Sequence, residues 1–188
     1  METANLTDAE LINGFRTGKV DCCFEELYRR YKPGIYGFVS RLLFGRNPST
    51  VEEIVQEVFV SVCRNLGTLR EPAFFKTWLF RSARNAVIDS VRRKKNVSET
   101  GLPADFPDLR FDQELKSIEK DLASRIRKAV LEAEPKTREI VVLKFYENMT
   151  FEEIFTVTGV PVRTIKYRMR SFLSDLDIKL EKEGFLPR

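Results

Sequence analysis

Apolar residues recur at spacings of three and four positions along most of the chain, which is the period of an amphipathic helix. In the first half this pattern predicts helices at about 8–17, 21–44, 51–65 and 72–95, the second bent near Pro33-Gly34. No stretch shows the alternation of apolar and polar residues that a half-buried strand requires. The sequence therefore predicts an all-α fold.

Three T-x-x-E patterns stand at or near predicted helix starts. In such a capping box the threonine hydroxyl accepts a bond from an amide of the first turn, and the glutamate accepts one from the threonine amide. The pairs are Thr7 and Glu10, Thr50 and Glu53, and Thr150 and Glu153. Each is followed by apolar residues at helical spacing, so each predicts a helix N-terminus.

The helical pattern lapses over residues 96–112, in the stretch NVSETGLPADFPDLRFD. This stretch contains one glycine and two prolines, lacks periodicity, and carries four acidic residues against one arginine. Such a composition is typical of a linker. Helical periodicity resumes at Leu115 and breaks at Pro135. We therefore predict two small helical domains, residues 1–95 and 113–188, joined by a flexible linker.

The stretch TFEEIFTVTGVPVRTIKYRMR, Thr150 to Arg170, has the layout of a helix-turn-helix. A short helix would end at Gly159, which can adopt a positive φ, and Pro161 suits the start of the next helix. Helix-turn-helix proteins place the second helix in the major groove of DNA. This segment is therefore a candidate duplex-DNA reader.

The second helix of this motif separates an apolar side from a basic side. Its apolar side holds Val162, Ile165, Met169 and Phe172, and its opposite side holds Arg163, Lys166, Tyr167 and Arg170. No acidic residue lies between Pro161 and Ser174, so the positive charges of this stretch, Arg168 included, are uncompensated along the sequence. The alternative is an ordinary solvated helix face, although such faces usually mix charges of both signs. We favour DNA binding.

The helix predicted at 72–95 carries a second polar strip. The strip holds Thr77, Arg81, Arg84, Asn85, Ile88 and Arg92, with Trp78 and Asp89 at its edge, and it runs into Arg93, Lys94 and Lys95. The core face holds Phe75, Leu79, Ala83 and Ala86. Cations can bind phosphates, an amide can read a base edge, and an aromatic ring can stack on an unpaired base. The strip thus suits opened DNA, whereas core packing is the alternative for the rings of Phe74, Phe75 and Trp78.

The helix predicted at 51–65 presents a face of a different kind. Glu53, Gln56, Glu57 and Val60 share one side, away from the apolar stripe. A valine among acidic residues on an exposed surface suggests a protein-docking site. A solvated helix face is the alternative.

Composition narrows the possible functions. The 188 residues include no histidine and no glycine-rich phosphate loop, so the commonest general base and the usual nucleotide-binding motifs are missing. Cys22, Cys23 and Cys63 fit neither a disulfide framework nor a C-x-x-C metal site. We expect no enzymatic activity, no catalytic residue, no metal site and no cofactor.

The bulk properties describe a chain with enough apolar residues to bury cores and enough charge to stay soluble. Hydrophobic residues make up 43% of the chain and charged residues 32%, and the net charge of +4 says little by itself about partners. No apolar run approaches the roughly 18 residues that a membrane span requires, and the N-terminus lacks the pattern of a signal peptide. We expect a cytoplasmic protein without membrane insertion.

Several of these segments together resemble one family. FEELYRRYKPGIYGFVSRLL, VEEIVQEVF, FKTWLFRSARNAVIDSVRRKK, a linker, and TREIVVLKFYENMTFEEIFTVTGVPVRTIKYRMR occur in the order found in bacterial sigma factors of the extracytoplasmic-function (ECF) group. The resemblance runs from Phe24 to about Leu176. Three parts of the sequence depart from the family pattern: Phe155 where a small residue is usual, Phe172 to Ser174 in place of a more basic tail, and Cys63 where an aromatic residue is common.

The resemblance implies a subunit that directs core RNA polymerase to promoters and helps to open the DNA. It assigns polymerase docking to Glu53, Gln56, Glu57 and Val60. It assigns the minus-ten element to Lys76, Thr77, Trp78, Arg81, Arg84, Asn85, Asp89, Arg92 and Arg93, with Asn85 beside a pocket for a flipped-out base. It assigns the minus-thirty-five element to Arg163, Thr164, Lys166, Tyr167, Arg168 and Arg170.

The implied partners are core RNA polymerase and promoter DNA, both as duplex and as melted non-template strand, and an anti-sigma factor is a further partner that the resemblance allows. The protein would act in the cytoplasm at the nucleoid. Two alternatives stay open: a helix-turn-helix regulator of duplex operator DNA, and a helical protein that binds only other proteins. Only the sigma-factor interpretation requires the strip from Trp78 to Arg92 to meet single-stranded DNA.

Overall fold

The computed structural model describes residues 3–44, 47–94 and 117–185. The chain divides into two compact units, Met1–Asp105 and Phe106–Arg188. Within the described residues both units are helical and neither contains a strand. The all-α prediction is therefore confirmed, and the predicted linker, residues 96–112, lies outside the described residues.

Four α-helices build the first unit: α1 (Asp8–Arg16), α2 (Val20–Leu42), α3 (Pro48–Asn65) and α4 (Phe75–Lys94). Three short 3-10 turns, Thr3–Asn5, Leu66–Thr68 and Pro72–Phe74, accompany them. Helix α2 packs against α1, α3 and α4, and α3 packs against α4. The observed ends differ from the predicted ones by no more than about three residues, and α2 is one continuous helix that includes Pro33.

Aromatic and aliphatic side chains from all four helices form the core of the first unit. Phe38 of α2 meets Phe80 of α4 edge to face, with ring centroids 5.4 Å apart, and Tyr31 meets Phe75 at 5.3 Å. Leu11 and Ile12 bring the short α1 into the same core, since both are fully buried. Burial of one such side chain contributes about 1.5–3 kcal/mol, so these contacts hold α1 on the bundle.

Helices α5 (Ser117–Glu132), α6 (Pro135–Val141), α7 (Phe151–Thr158) and α8 (Val162–Lys182) build the second unit. A π-helical turn, Val142–Tyr146, extends α6. The core is a small apolar cluster that consists of Val130, Ile140, Val141, Val142, Leu143, Met149, Ile154, Val157, Ile165 and Met169. Helix α8 packs on both α6 and α7, so the two helices of the predicted motif share this core.

Two of the three predicted capping boxes are present. Thr7 accepts a bond from the Glu10 amide at 3.3 Å, and the Glu10 carboxylate accepts one from the Thr7 amide at 2.7 Å. The box of Thr150 and Glu153 has the same two bonds, at 3.2 and 2.7 Å.

The capping box predicted at Thr50 and Glu53 is wrong. Helix α3 begins earlier, at Pro48, and the Asn47 side chain accepts a bond from the Ser49 amide at 3.0 Å. Thr50 therefore lies inside the helix, and it is buried. Asparagine before proline is a strong helix start, because the asparagine caps the first turn and the first helical position tolerates proline.

None of the helices in the described ranges is long and apolar enough to cross a bilayer.

Candidate nucleic-acid interface

Helix α4 presents most of its predicted polar strip to solvent. Arg81, Asn85, Asp89, Arg92 and Arg93 are exposed. The side chains of Lys76, Trp78 and Arg84 are partly exposed. Asp89 lies 3.9 Å from the Arg92 guanidinium, a weak contact between two exposed groups. The strip thus offers several cations and one amide along a single helix face.

The predicted exposure of Thr77 is wrong. Its accessible fraction is only 3%. Phe75, Leu79 and Phe80 are also buried, and these four residues point in different directions around the helix. The first turns of α4 are therefore enclosed on more than one side, which the projection from spacing alone did not anticipate.

A polar cavity of about 370 Å³ lies beside Trp78, within the first unit. Residues from the end of α3, from the turn that follows it and from α4 line this cavity: Ser61, Asn65, Thr68, Leu69, Arg70, Trp78 and Ser82. Its volume falls within the range of about 300–1,000 Å³ that is usual for small-ligand sites. An aromatic ring among hydroxyl, amide and guanidinium groups is suited to hold a planar polar ring.

Internal hydrogen bonds hold several of these side chains in place. Asn65 Nδ2 donates to the Ser61 carbonyl oxygen at 2.7 Å, and Thr68 Oγ1 donates to the Asn65 carbonyl oxygen at 2.8 Å. Ser82 Oγ donates to the Trp78 carbonyl oxygen at 3.0 Å. Asn85 follows Ser82 by three positions and Trp78 by seven, a spacing that puts all three on one side of α4. Asn85 therefore lies on the same side of α4 as two residues of the cavity wall, one turn beyond Ser82, without lining the cavity itself.

Sequence reasoning singled out Trp78 among the cavity residues and missed the rest. Ser61 and Asn65 belong to α3, for which the sequence pattern indicated only the acidic face. Thr68, Leu69 and Arg70 follow α3 in a turn. A cluster of polar residues at a helix end, NLGTLR, was the available signal. It becomes informative only once the packing of α3 against α4 is known.

The acidic face of α3 is exposed as predicted. Glu53, Gln56 and Glu57 are accessible, and Val60 is 49% exposed among them. The Glu57 carboxylate lies 3.5 Å from the Arg93 guanidinium. The acidic face of α3 and the basic end of α4 are therefore neighbours on the first unit.

In the second unit the helix-turn-helix has the local geometry that the sequence predicts. Gly159 ends α7 in the left-handed region at φ 72°, and its amide donates to the Phe155 carbonyl oxygen at 2.7 Å. Pro161 directly precedes the first residue of α8, with ψ 140°. Phe155 is 48% exposed, so its ring does not fill the space between the two helices.

The solvent side of α8 is basic. Arg163, Lys166 and Arg170 are exposed, and Tyr167 is 71% exposed. Thr164 is partly exposed and lines a cavity of about 580 Å³ beside α5 and α6. This arrangement gives the helix a cationic surface with one aromatic ring at its centre.

Phe151, the first residue of α7, holds two lysines by cation–π contacts. Lys166 Nζ lies 5.4 Å from the ring centroid, and Lys144 Nζ lies 4.9 Å from it. Lys144 Nζ also donates to the Met149 carbonyl oxygen at 3.1 Å. Two positive charges are thus gathered where α7 and α8 meet.

The expectation that Arg168 is uncompensated is wrong. Its guanidinium forms an ion pair with Glu134, and it donates to Thr137 Oγ1 at 3.2 Å. Burial acts to raise the pKa of Glu134, but bonds from the Lys136 amide and from Arg168 outweigh it and hold this pKa below its ordinary value. The compensating acid lies 34 positions earlier in the chain, where a local charge count does not reach.

Among the described residues no group of three or more Cys, Asp or Glu side chains is placed to hold a metal ion.

Two parts of the chain match known protein families. Residues 27–97 match Sigma-70 region 2, a range that contains α3 and α4. Residues 124–171 match Sigma-70, region 4, a range that contains the helix-turn-helix.

The chain is also similar to named relatives over most of its length. RNA polymerase sigma factor CarQ of Myxococcus xanthus is 29% identical over 182 residues, which cover 89% of this chain and 98% of CarQ. The ECF RNA polymerase sigma factor SigW of Bacillus subtilis is 29% identical over 156 residues, which cover 78% of this chain and 82% of SigW.

Two solved structures share the fold. CnrH, in complex with the cytosolic domain of CnrY, has a TM-score of 0.64 at 21% identity over 94% of this chain and 99% of its own. RpoE from Bartonella quintana, in complex with the anti-sigma factor NepR, has a TM-score of 0.66 at 20% identity over 84% of this chain and 96% of its own.

Proposed function

The chain belongs to the ECF group of the sigma-70 family and directs core RNA polymerase to promoters, and from this premise we propose how its surfaces divide that work. Residues 1–95 dock on the polymerase and recognise the minus-ten element as opened DNA. Residues 113–188 recognise the minus-thirty-five element as duplex. Residues 96–112, which lie outside the described residues, are the proposed linker, and their acidity suits a channel that normally passes RNA.

The observation that carries this proposal is the polar cavity beside Trp78 at the edge of the cationic strip on α4. The cavity receives one unstacked base of the non-template strand, Trp78 stacks on it, and Asn85 binds its edge. Arg81, Arg84 and Arg92 hold the adjoining phosphates, and Asp89 reads a neighbouring base. Thr77 supports α4 from inside the unit, since its burial leaves it no access to DNA.

The energies of base capture and of duplex melting are comparable. Opening the duplex costs about 1.4 kcal/mol per base-pair step, and stacking of one base on a protein ring returns about 1–3 kcal/mol. A few captured bases are therefore enough to stabilise a short bubble. The proposed role requires no catalytic residue and no cofactor in this chain, because the polymerase carries out nucleotidyl transfer.

Recognition of the minus-thirty-five element falls to the exposed side of α8. Arg163, Lys166, Tyr167 and Arg170 enter the major groove, where cations bind phosphates and guanine edges. Thr164 contacts the DNA from the flank of the helix. Arg168 acts differently: its ion pair with Glu134 fixes α8 against the start of α6, so that it orients the reading surface.

Polymerase docking falls to the acidic face of α3. Glu53, Gln56 and Glu57 meet cations of the polymerase, and the half-exposed Val60 supplies apolar area at the C-terminal end of this face. Because Glu57 is also paired with Arg93, docking on the polymerase competes with a contact to the basic end of α4.

One further partner and a location follow from the family. The solved structures of CnrH with CnrY and of RpoE with NepR show that similar proteins bind a second chain, and RpoE binds an anti-sigma factor. We propose that an anti-sigma factor also holds this chain until a signal releases it. The released protein would act in the cytoplasm, at the nucleoid.

The proposal is tested by separating docking from DNA opening. Asn85→Ala should reduce promoter opening while it leaves the affinity for core polymerase within about twofold of the original. Gln56→Lys should reduce the affinity for core polymerase, and at saturating polymerase it should open DNA normally. Polymerase affinity is measured by fluorescence titration, and opening by permanganate reactivity of unpaired thymines.

Gln56→Lys is a cleaner docking variant than Glu57→Lys, because reversing the charge of Glu57 also removes the ion pair with Arg93. Equal losses in both assays for both variants would contradict the division of work.

A further inference from the structure

Arg16 connects the N-terminal helix to the turn between α3 and α4. Arg16 ends α1, and its guanidinium reaches a turn more than fifty positions away. Nε donates to the Gly67 carbonyl oxygen at 3.1 Å, and Nη2 donates to the Leu69 carbonyl oxygen. Nη1 donates to Asn13 Oδ1 at 3.3 Å, within α1 itself. One planar group thus holds two backbone carbonyls of the same turn.

These two carbonyls lie on either side of Thr68, in the part of the chain that walls the cavity beside Trp78. Thr68 and Leu69 both line that cavity. The fully buried side chain of Leu66 anchors the turn in the core, whereas Gly67 and Thr68 are exposed. Arg16 therefore fixes the turn from the solvent side, while Leu66 fixes it from the core.

The guanidinium is well suited to this task. Its N–H groups form a rigid fork, so that bonds to two carbonyls determine both the position and the orientation of the turn. A lysine could reach one carbonyl with a point charge, but it could not hold both in a fixed geometry.

We propose that Arg16 is a positioning residue for base capture: it holds the wall formed by Thr68 and Leu69 at the correct distance from Trp78. This inference rests on the proposed function of the cavity. It gives α1, which has no part in the docking face or the basic strips, a role in promoter recognition. Arg16 itself does not touch the base.

A shift of the cavity wall formed by Thr68 and Leu69 should affect only the base that the cavity captures. Loss of Arg16 should therefore reduce discrimination at the captured position and leave the other positions of the minus-ten element unchanged. A general loss of folding or of phosphate binding would instead weaken binding to every oligonucleotide by the same factor.

The experiment measures binding of reconstituted holoenzyme to single-stranded oligonucleotides of the minus-ten element. In a series of probes each base is replaced in turn by an abasic site. For the wild-type protein, removal of the captured base should weaken binding on the order of 10-fold, because stacking on an aromatic ring contributes about 1–3 kcal/mol per base. For Arg16→Ala the same removal should weaken binding less than about 3-fold, with the other positions unaffected.

Arg16→Lys is the second variant, and its penalty at the captured position should lie between those of the other two proteins. If Arg16→Ala unfolds at a lower temperature or fails to bind core polymerase, the result for Arg16→Lys decides the test. Asn13→Ala, which removes only the bond within α1, should behave as the wild type.

The outcomes are distinct. An Arg16 variant that keeps the full penalty at the captured position, or that loses affinity equally for all probes, overturns the positioning role and leaves the proposed function intact. A wild-type protein without any position-specific penalty contradicts base capture itself, and the role of Arg16 is then rejected with it.

Discussion

Glu26 is a charged side chain buried in the first unit. Its carboxylate is 6% exposed and accepts bonds from Arg29 at 2.9 and 2.8 Å and from Arg30 Nε at 2.7 Å. These bonds, that from Arg29 first, lower the pKa of Glu26 to about 2. Arg30 also bonds Asp8 at 3.1 Å and the Ala4 carbonyl oxygen at 2.9 Å, so the same cluster ties the N-terminal segment to α2.

The depressed pKa of Glu26 predicts acid sensitivity of the first unit. A carboxyl whose folded pKa lies below its ordinary value of 4.5 contributes stability that is fully present above that value and is lost as the pH falls towards 2. We expect the free energy of unfolding to fall in this window for the wild type and to fall less for Glu26→Gln. The single tryptophan, Trp78, reports urea unfolding of this unit by fluorescence.

Glu25→Gln is the matched control, because Glu25 is the exposed neighbour of Glu26. It should follow the wild-type pH dependence. Parallel curves for the wild type and Glu26→Gln would show that the cluster contributes nothing to acid stability.

Asn148 adopts a left-handed backbone conformation, with φ 52°, in the turn before α7. Asparagine tolerates this region better than most residues, and glycine tolerates it without strain. We expect Asn148→Ala to destabilise the second unit by about 1 kcal/mol and Asn148→Gly to be nearly neutral. Chemical denaturation followed by far-ultraviolet circular dichroism measures both variants, and an alanine variant as stable as the glycine variant would contradict the argument.

At the scale of elements, α7 positions a side chain of α8 that we propose binds DNA. Phe151 holds Lys166 by a cation–π contact, which is worth about 0.5–1 kcal/mol at an exposed site. The contact orders Lys166 before DNA binds, so its loss adds the cost of ordering that side chain to the binding free energy. Phe151→Leu should therefore weaken binding to a duplex minus-thirty-five probe about two- to fivefold, and Phe151→Tyr should restore most of the loss. Fluorescence anisotropy over a range of salt concentrations measures the effect.

The double variant identifies the cause. Lys166→Ala should lower the slope of log affinity against log salt by about one, the amount expected for one phosphate contact. Phe151→Leu should then have no further effect in the Lys166→Ala background. Additive losses would mean that Phe151 supports the motif in some other way.

Whether a feature could be predicted from the sequence depended on how close together in the chain the residues that stabilise it lie. The starts at Thr7 and Thr150 and the turn at Gly159 follow from neighbouring residues, and the sequence predicted them correctly. The capping box predicted at Thr50 does not form, because Asn47 and Pro48 supply a stronger local helix start.

Features that depend on distant residues were missed or misjudged. The partner of Arg168 is 34 positions away, and the bonds of Arg16 to its turn span more than fifty. The cavity beside Trp78 needs the end of α3, a turn and α4 together. Burial of Thr77 likewise depends on how α4 packs within its unit, and periodicity along a single helix carries no such information.

At the scale of the whole molecule, we propose that the two units recognise different states of the same promoter. The first unit carries a polar cavity beside a cationic strip, and the second carries a helix with a basic solvent side. Each surface alone is common among DNA-binding proteins. The proposed division of work requires both surfaces on one chain, together with the acidic face of α3 for docking.

Run-off transcription with purified core polymerase and a library of promoter templates tests this account most directly. Addition of the chain should yield specific transcripts that core polymerase alone does not produce, and the active templates should share two short elements upstream of the start site. A complete absence of specific transcripts from every template, with a chain shown to bind core polymerase, would contradict it.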